Sequence, residues 1–165
     1  MKKLLFIVFP LILFSCGQQS NKPLTEEQKG KIIEEIRPLV TQLWESNEQL
    51  NYEKWLELYW NSKDFILIVN GQISGYSEIE GYKEVWKLLE YQKYNILIEK
   101  FDVISHDAVV YTMQGKASSK YKTGEIYSTD FYAISALFRK VDGIWKIVYG
   151  HGSFPTPKMT SQENT

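Results

Sequence analysis

The apolar residues of this 165-residue chain change their period once. Up to about residue 90 they recur three and four positions apart, and beyond it they alternate with polar residues through four long runs joined by short turns. A chain patterned this way builds helices first and then a meander of antiparallel strands. That is the α+β arrangement in which helices cover one face of a curved sheet. The length suits one hydrophobic core and is too short for two.

Thr25 with Gln28 three residues on forms a capping box that opens a helix whose apolar positions include Ile32, Ile36, Val40 and Leu43. Pro38 falls inside this run, so a kink or break is expected near Ile36 or Arg37. Asn51 is the predicted N-cap of a short second helix carrying Trp55 and Tyr59. Phe65 to Val69 reads as a strand ended by an Asn70-Gly71 turn. Ser77 with Glu80 predicts the start of a third helix bearing Tyr82 and Trp86. The predicted strands are then Tyr94 to Ile104, Ala108 to Ala117, Glu125 to Lys140 and Ile144 to Ser153. A curved sheet under three helices forms a cone, and its wide end is hard to fill with side chains, so an internal pocket is the expected by-product.

Composition excludes several functions. Lys and Arg number 19 against 20 Asp and Glu, with no basic stripe, so no nucleic acid partner is expected. One cysteine rules out an internal disulfide and a multi-thiolate zinc site, and two separated histidines argue against a metal cage. Neither a metal nor a cofactor is therefore expected. The N-terminal residues read as an address: Met1-Lys2-Lys3 is a positive region and Leu4 to Phe14 an apolar run, too short to span a bilayer permanently. Leu13-Phe14-Ser15-Cys16 resembles a bacterial lipobox, which implies cleavage before Cys16 and lipidation of its thiol. The expected layout is a leader over 1–15, a flexible tether over 16–24, one domain over 25–154 and a disordered tail over 155–165. The protein would then sit in the bacterial cell envelope, held to the membrane through Cys16.

The Asp142-Gly143 turn predicts the register of the last hairpin, pairing Val141 with Ile144, Phe138 with Ile147, Ile134 with His151 and Tyr132 with Ser153. Paired residues share a face. One face is therefore expected to carry Phe138, Trp145, Ile147 and Tyr149 toward the turn, and Ile134, His151, Tyr132 and Asp130 toward the other end. The other face, led by Leu137, Val148 and Phe131, is apolar enough to pack on a second copy of the chain as a homodimer. A histidine, a phenol and a carboxylate converging on an apolar cavity suit proton transfer, with His151 as base, Asp130 orienting it and Tyr132 donating to developing charge. The other reading is structural, with His151 satisfied by Asp130 or a backbone carbonyl. A one-residue bulge in the hairpin would dissolve the cluster. The chain is rich in aromatics, with 11 Tyr and 5 Trp. Trp44, Tyr59 and Trp86 join Ile134, Phe138, Trp145, Ile147 and Tyr149 as the expected pocket lining for a small apolar or aromatic ligand.

The order of elements and the closing stretch from Phe138 to Ser153, with Lys140, Asp142-Gly143, Trp145-Lys146-Ile147-Val148 and His151 before Ser153, resemble the SnoaL-like branch of the NTF2-like superfamily. Gly75 ahead of the third helix fits the same pattern. The resemblance implies a cone with a pocket. It spans cyclases, isomerases, dehydratases and non-catalytic members, so it does not select a reaction. Isomerase-like members carry a general-base aspartate at the end of the first strand, where this chain has Val69-Asn70-Gly71, which disfavours ketosteroid isomerisation. Three readings stay open: a ligand-binding lipoprotein, a cofactor-independent acid/base enzyme of cyclase, isomerase or dehydratase type, and a dimeric interaction module.

Overall fold

The computed structural model describes residues 23–156 and 158–160. The expected leader, the anchor at Cys16 and the tether up to residue 22 lie outside the described residues, as do Pro157 and residues 161–165 of the tail.

Helix α1 (Glu26–Glu48) starts at the Thr25 capping box, where the Gln28 backbone N–H donates to the threonine hydroxyl and the Thr25 N–H to the Gln28 side chain. The helix continues through Pro38 rather than breaking. Ile32 and Ile36 before the proline and Val40 and Leu43 after it are all buried, and this shared stripe offsets one missing backbone hydrogen bond. Helix α2 (Tyr52–Leu56) is capped by Asn51 as expected. Helix α3 (Tyr76–Lys87) begins earlier than the Ser77 signal suggests, with Gly75 at its N-cap and no side-chain cap. Tyr76 packs edge-on against Phe65, with ring centroids 6.1 Å apart, which draws the first turn toward the core.

The strands are β1 (Ile66–Val69), β2 (Gln72–Ser74), β3 (Leu89–Ser105), β4 (Ala108–Tyr121), β5 (Ile126–Val141), β6 (Ile144–Ser153) and β7 (Lys158–Thr160). They form one curved sheet in the order β2-β1-β6-β5-β4-β3, antiparallel except where β1 runs parallel to β6. Asn70-Gly71 and Asp142-Gly143 make two-residue turns with positive φ at both positions, as such sequences favour. Where the sequence predicts a disordered tail, β7 pairs with the start of β5. Strand β6 ends opposite Ala133, so the first part of β5 has an open edge that β7 covers.

The register of the β5–β6 hairpin departs from the expected one at a single point. Val141 to Phe138 pair as predicted, but Leu137 then faces Tyr149, leaving Val148 as an extra residue on β6. This β-bulge reverses the alternation beyond it. Ile147 is buried, Val148 and Tyr149 are both half-buried, and thereafter Gly150 and Gly152 face inward while His151 and Ser153 are exposed. The inward glycines leave room for neighbours: a Cβ on Gly152 would lie 2.5 Å from the Phe154 ring. Gly152→Ala is expected to destabilise the protein by about 1–3 kcal/mol in urea unfolding, and to cost markedly less in a Phe154→Ala background. Equal costs in the two backgrounds would show that the ring contact is not the cause.

Candidate functional site

Between the helices and the inner face of the sheet lies a cavity of about 280 Å³. Its helical side is built from Leu43, Trp44 and Asn47 of α1 and Tyr82 and Trp86 of α3, residues that continue the buried stripes by three- and four-residue steps. Trp55 of α2 is the hub of the wall. Its ring lies 4.5 Å from Tyr59, 5.2 Å from Trp86 and 5.9 Å from Tyr82 between centroids. Such tilted and edge-on contacts hold each ring in one orientation, so the wall is rigid before any ligand arrives. The sheet contributes Ile134, Ala136 and Ile147, and the bulge brings the Gly150 and Gly152 backbone to the same surface.

Phe154 closes one end. Its ring stacks on Tyr132 at 5.4 Å with a 7° interplanar angle, and its N–H donates to the Asn70 side chain at 2.7 Å. The positive-φ turn of the β1–β2 hairpin thereby fixes the chain that leaves β6.

Four polar side chains of the wall are hydrogen-bonded within the protein, while the hydroxyls of Tyr59, Tyr82, Ser119 and Tyr121 have no partner among the described residues. Tyr94 donates its hydroxyl to Gln92 Oε1 at 3.0 Å, Gln92 Nε2 donates to the Asn47 carbonyl at 3.5 Å, and Asn47 Nδ2 donates to the Leu43 carbonyl at 2.7 Å. Trp44 Nε1 donates to the Tyr111 hydroxyl at 3.2 Å, which in turn donates to Glu99 at 3.5 Å, itself paired with Arg37. Burial pushes the Tyr111 phenol up to about 12, and pushes those of Tyr59, Tyr94 and Tyr132 well above the usual range. All four stay neutral under physiological conditions. No Asp, Glu, Lys or Arg lines the cavity, and among the described residues no three His, Cys, Asp or Glu side chains converge on a metal-sized site.

The three residues expected to perform proton transfer are not brought together. His151 pairs with Ser135 and, across the parallel pair, with Ile68, whose neighbours Leu67 and Val69 are the β1 residues that line the cavity. His151 is among the residues that border the cavity, between Gly150 and Gly152, but its pairing puts its side chain with the outer face, where it is exposed, a direct result of the Val148 bulge. Asp130 is displaced by a second irregularity, between Thr129 and Tyr132 opposite Gly115 and Ala117, and its carboxylate pairs with Lys158 at 2.9 Å in solvent. Tyr132 alone points inward. Its hydroxyl is buried and has no hydrogen-bond partner.

Of the expected lining, Trp44, Tyr59, Trp86, Ile134 and Ile147 border the cavity. Phe138 is fully buried in the core nearer the turn. Trp145 is turned to α1, where its Nε1 donates to Glu35 at 2.8 Å, and Lys140 pairs with the same carboxylate. Tyr149 lies beyond the bulge and borders a shallow outer groove with Trp60 and Ile66. Asn47, Gln92, Tyr94 and Phe154 were not anticipated in the wall. The alternation that places Gln92 and Tyr94 begins at Leu89, ahead of the expected start of β3.

An unpartnered buried hydroxyl is a standing cost. Tyr132→Phe is accordingly expected to leave the fold intact and raise its stability by up to about 1 kcal/mol in chemical denaturation. A loss of stability would show that the hydroxyl is bonded in solution.

Residues 36–157 match a family model described as a SnoaL-like domain. The fold is similar to that of hexachlorocyclohexane dehydrochlorinase LinA-type3 from Novosphingobium barchaimii LL02, with a TM-score of 0.68 at 12% identity over 86% of this chain and 98% of that one. It is also similar to an NTF2-like superfamily protein from Salmonella enterica serovar Typhimurium LT2, with a TM-score of 0.67 at 17% identity over 83% and 99% of the two chains. An NTF-2 like protein of unknown function from Shewanella oneidensis MR-1 gives a TM-score of 0.57 at 21% identity over 73% and 98%. At these identities the likeness is one of fold. No curated protein matches the sequence.

Proposed function

We propose, from the premise that the chain belongs to the SnoaL-like family of NTF2-like folds, that its cavity binds a small apolar or aromatic molecule. The observation that carries this reading is a preformed aromatic wall around a cavity with no Asp, Glu, Lys or Arg in its lining. Apolar pockets with a few neutral polar groups recognise ligands by shape and desolvation. The dehydrochlorinase of similar fold keeps an enzymatic reading in view. That reading needs a base beside the ligand; His151 borders the cavity, but the strand register and its exposure put its side chain on the outer face, and the carboxylate of Asp130 pairs with Lys158 in solvent. Ligand binding is therefore the reading the geometry favours.

A thermal-shift panel of flat aromatic compounds tests it. A binder at a hundred times its Kd adds about 2.7 kcal/mol of stability, which for a domain of this size is a rise of several degrees. The rise is expected to persist in His151→Ala and to disappear in Ala136→Leu, which fills the cavity, provided that variant itself melts cooperatively. A panel without a responder would remove the binding function.

The proposal extends to location. The basic start, the apolar run from Leu4 and the lipobox-like Leu13-Phe14-Ser15-Cys16 support a domain tethered to the bacterial envelope by lipid on Cys16. Produced in a bacterium that processes lipoproteins, the full chain is expected to enter the detergent phase on cloud-point partitioning and Cys16→Ala the aqueous phase. Aqueous partitioning of both would exclude the anchor.

A further inference from the structure

We infer that the domain docks the mouth of its cavity on a lipid bilayer, through an apolar rim formed by Val85, Leu88, Tyr121, Tyr127 and Met159. The inference rests on the envelope-anchoring reading above and names the surface that the open end of the cavity meets.

Exposure locates the mouth. His151 aside, whose side chain lies on the outer face, Val85 is the only lining residue that is exposed, at 40%. The cavity therefore reaches the surface at the last turn of α3. From there the apolar surface passes from neighbour to neighbour. Leu88, the C-cap of α3, donates its N–H to the Val85 carbonyl at 3.0 Å and is 57% exposed. Its own carbonyl accepts from the Lys122 N–H at 2.9 Å, which sets it beside Tyr121, another lining residue. The Tyr121 ring meets that of Tyr127 edge-on at 5.5 Å, and Tyr127 pairs with Met159 of β7, itself 63% exposed. Single exposed apolar side chains are ordinary, whereas a connected run of them at the opening of an apolar cavity marks a surface that is stabilised by being covered.

Two observations point to a bilayer as the cover. The first is the polar frame of the rim. Lys87 pairs with Glu84 at 2.6 Å, Lys120 with Glu90 at 2.9 Å and Lys158 with Asp130 at 2.9 Å, while Lys122 donates to the Lys87 carbonyl at 2.7 Å. Aliphatic groups and phenols framed by lysines match the boundary between acyl chains and headgroups. Three of the four lysines are already paired, so burial of apolar surface drives the docking and anionic lipid adds little. The second is the anchor. Eight residues follow Cys16 up to Leu24, a reach of at most about 28 Å, so a lipidated domain stays beside the membrane at high effective concentration. The rim lies at the C-terminal end of α1, where Glu48 accepts from the Tyr94 N–H. That helix is about 34 Å long, longer than the tether, so the rim reaches the bilayer with α1 inclined over the surface rather than upright.

The test uses the full chain matured in a bacterium that processes lipoproteins. Its one native cysteine, Cys16, is then blocked by lipid, so a cysteine placed elsewhere is the only free thiol. Leu88→Cys and Ile144→Cys, the second at the far end of β5 and 63% exposed, each receive an environment-sensitive dye. The proteins are reconstituted on phosphatidylcholine vesicles that carry a quencher in the acyl chains. The dye at position 88 is expected to shift to the blue and to be quenched several times more strongly than the dye at 144. Adding Val85→Glu and Met159→Glu is expected to bring the two to one low level, and adding phosphatidylglycerol to the vesicles to change neither. Equally weak quenching of both dyes on vesicles that retain the protein would overturn the docking and leave the anchor standing. A blue shift at position 88 without quenching would show that a second copy of the chain covers the rim instead. Docking that requires phosphatidylglycerol would overturn the apolar mechanism. Protein that leaves the vesicles altogether would take the anchor and the docking down together.

Discussion

One extra residue in β6 decides what the interior of this protein contains. Beyond Val148 the alternation of the strand is reversed, so Gly150 and Gly152 face the helices while Tyr149 and His151 face away. In the uninterrupted register a tyrosine and a histidine would occupy the space that is now open, leaving a more crowded and titratable interior. The bulge exchanges two large polar-tipped side chains for two hydrogens. The void under the helical cover is thus not simply a failure to fill the wide end of a cone. It is made by a local change of phase in a strand whose pairing partners continue undisturbed on both sides, β1 by a parallel ladder and β5 by an antiparallel one.

The rest of the cavity is arranged so that the space stays open. Trp55 contacts four aromatic rings, those of Tyr52, Tyr59, Tyr82 and Trp86, so the wall is a mutually supported cluster rather than a set of independent side chains. Collapse into the void would require several of these contacts to be given up at once. On the opposite side, Gly152 admits the Phe154 ring, which the Asn70 side chain anchors against Tyr132. Two features that look like separate turn signals in the sequence, Asn70-Gly71 and the glycine-rich end of β6, are therefore parts of one closure.

The architecture was legible because it depends on period and on turns. The capping box at Thr25, the positive-φ pairs at Asn70-Gly71 and Asp142-Gly143, and the change from helical to strand alternation are local signals, and local chemistry decides them. The aromatic residues at helical spacing could be placed under the sheet for the same reason. The far end of the last hairpin could not be read, because a bulge is set by how a strand bends to follow its neighbours, and neither Leu137 nor Val148 has a side chain that announces it. That single shift separates His151 from Tyr132 and sends Tyr149 outward. Asp130 departs from the expected face for a similar reason, a register irregularity opposite Gly115 and Ala117 that no side chain of β5 announces. The short β7 escaped notice because three residues carry no periodic signal, and only the open edge of β5 explains why they pair.

The cavity is lined chiefly by phenols, amides and indoles, with His151 at its border directing its side chain to the outer face, and its limits follow from electrostatics. Acid/base catalysis needs a group that changes charge near the working pH, and burial moves every lining phenol with a resolved shift away from that range rather than toward it. The nearest route from the cavity to charge runs through Trp44 and Tyr111 to the Glu99–Arg37 pair, and there a fully buried phenol stands between the indole and the ions. What such a lining does well is discriminate. Neutral polar groups held rigidly in an apolar wall distinguish ligands by shape and by where their polar atoms fall, and they do so without the desolvation cost that a charged site would impose on itself when empty. A cavity of this kind is better suited to holding a neutral molecule than to transforming one.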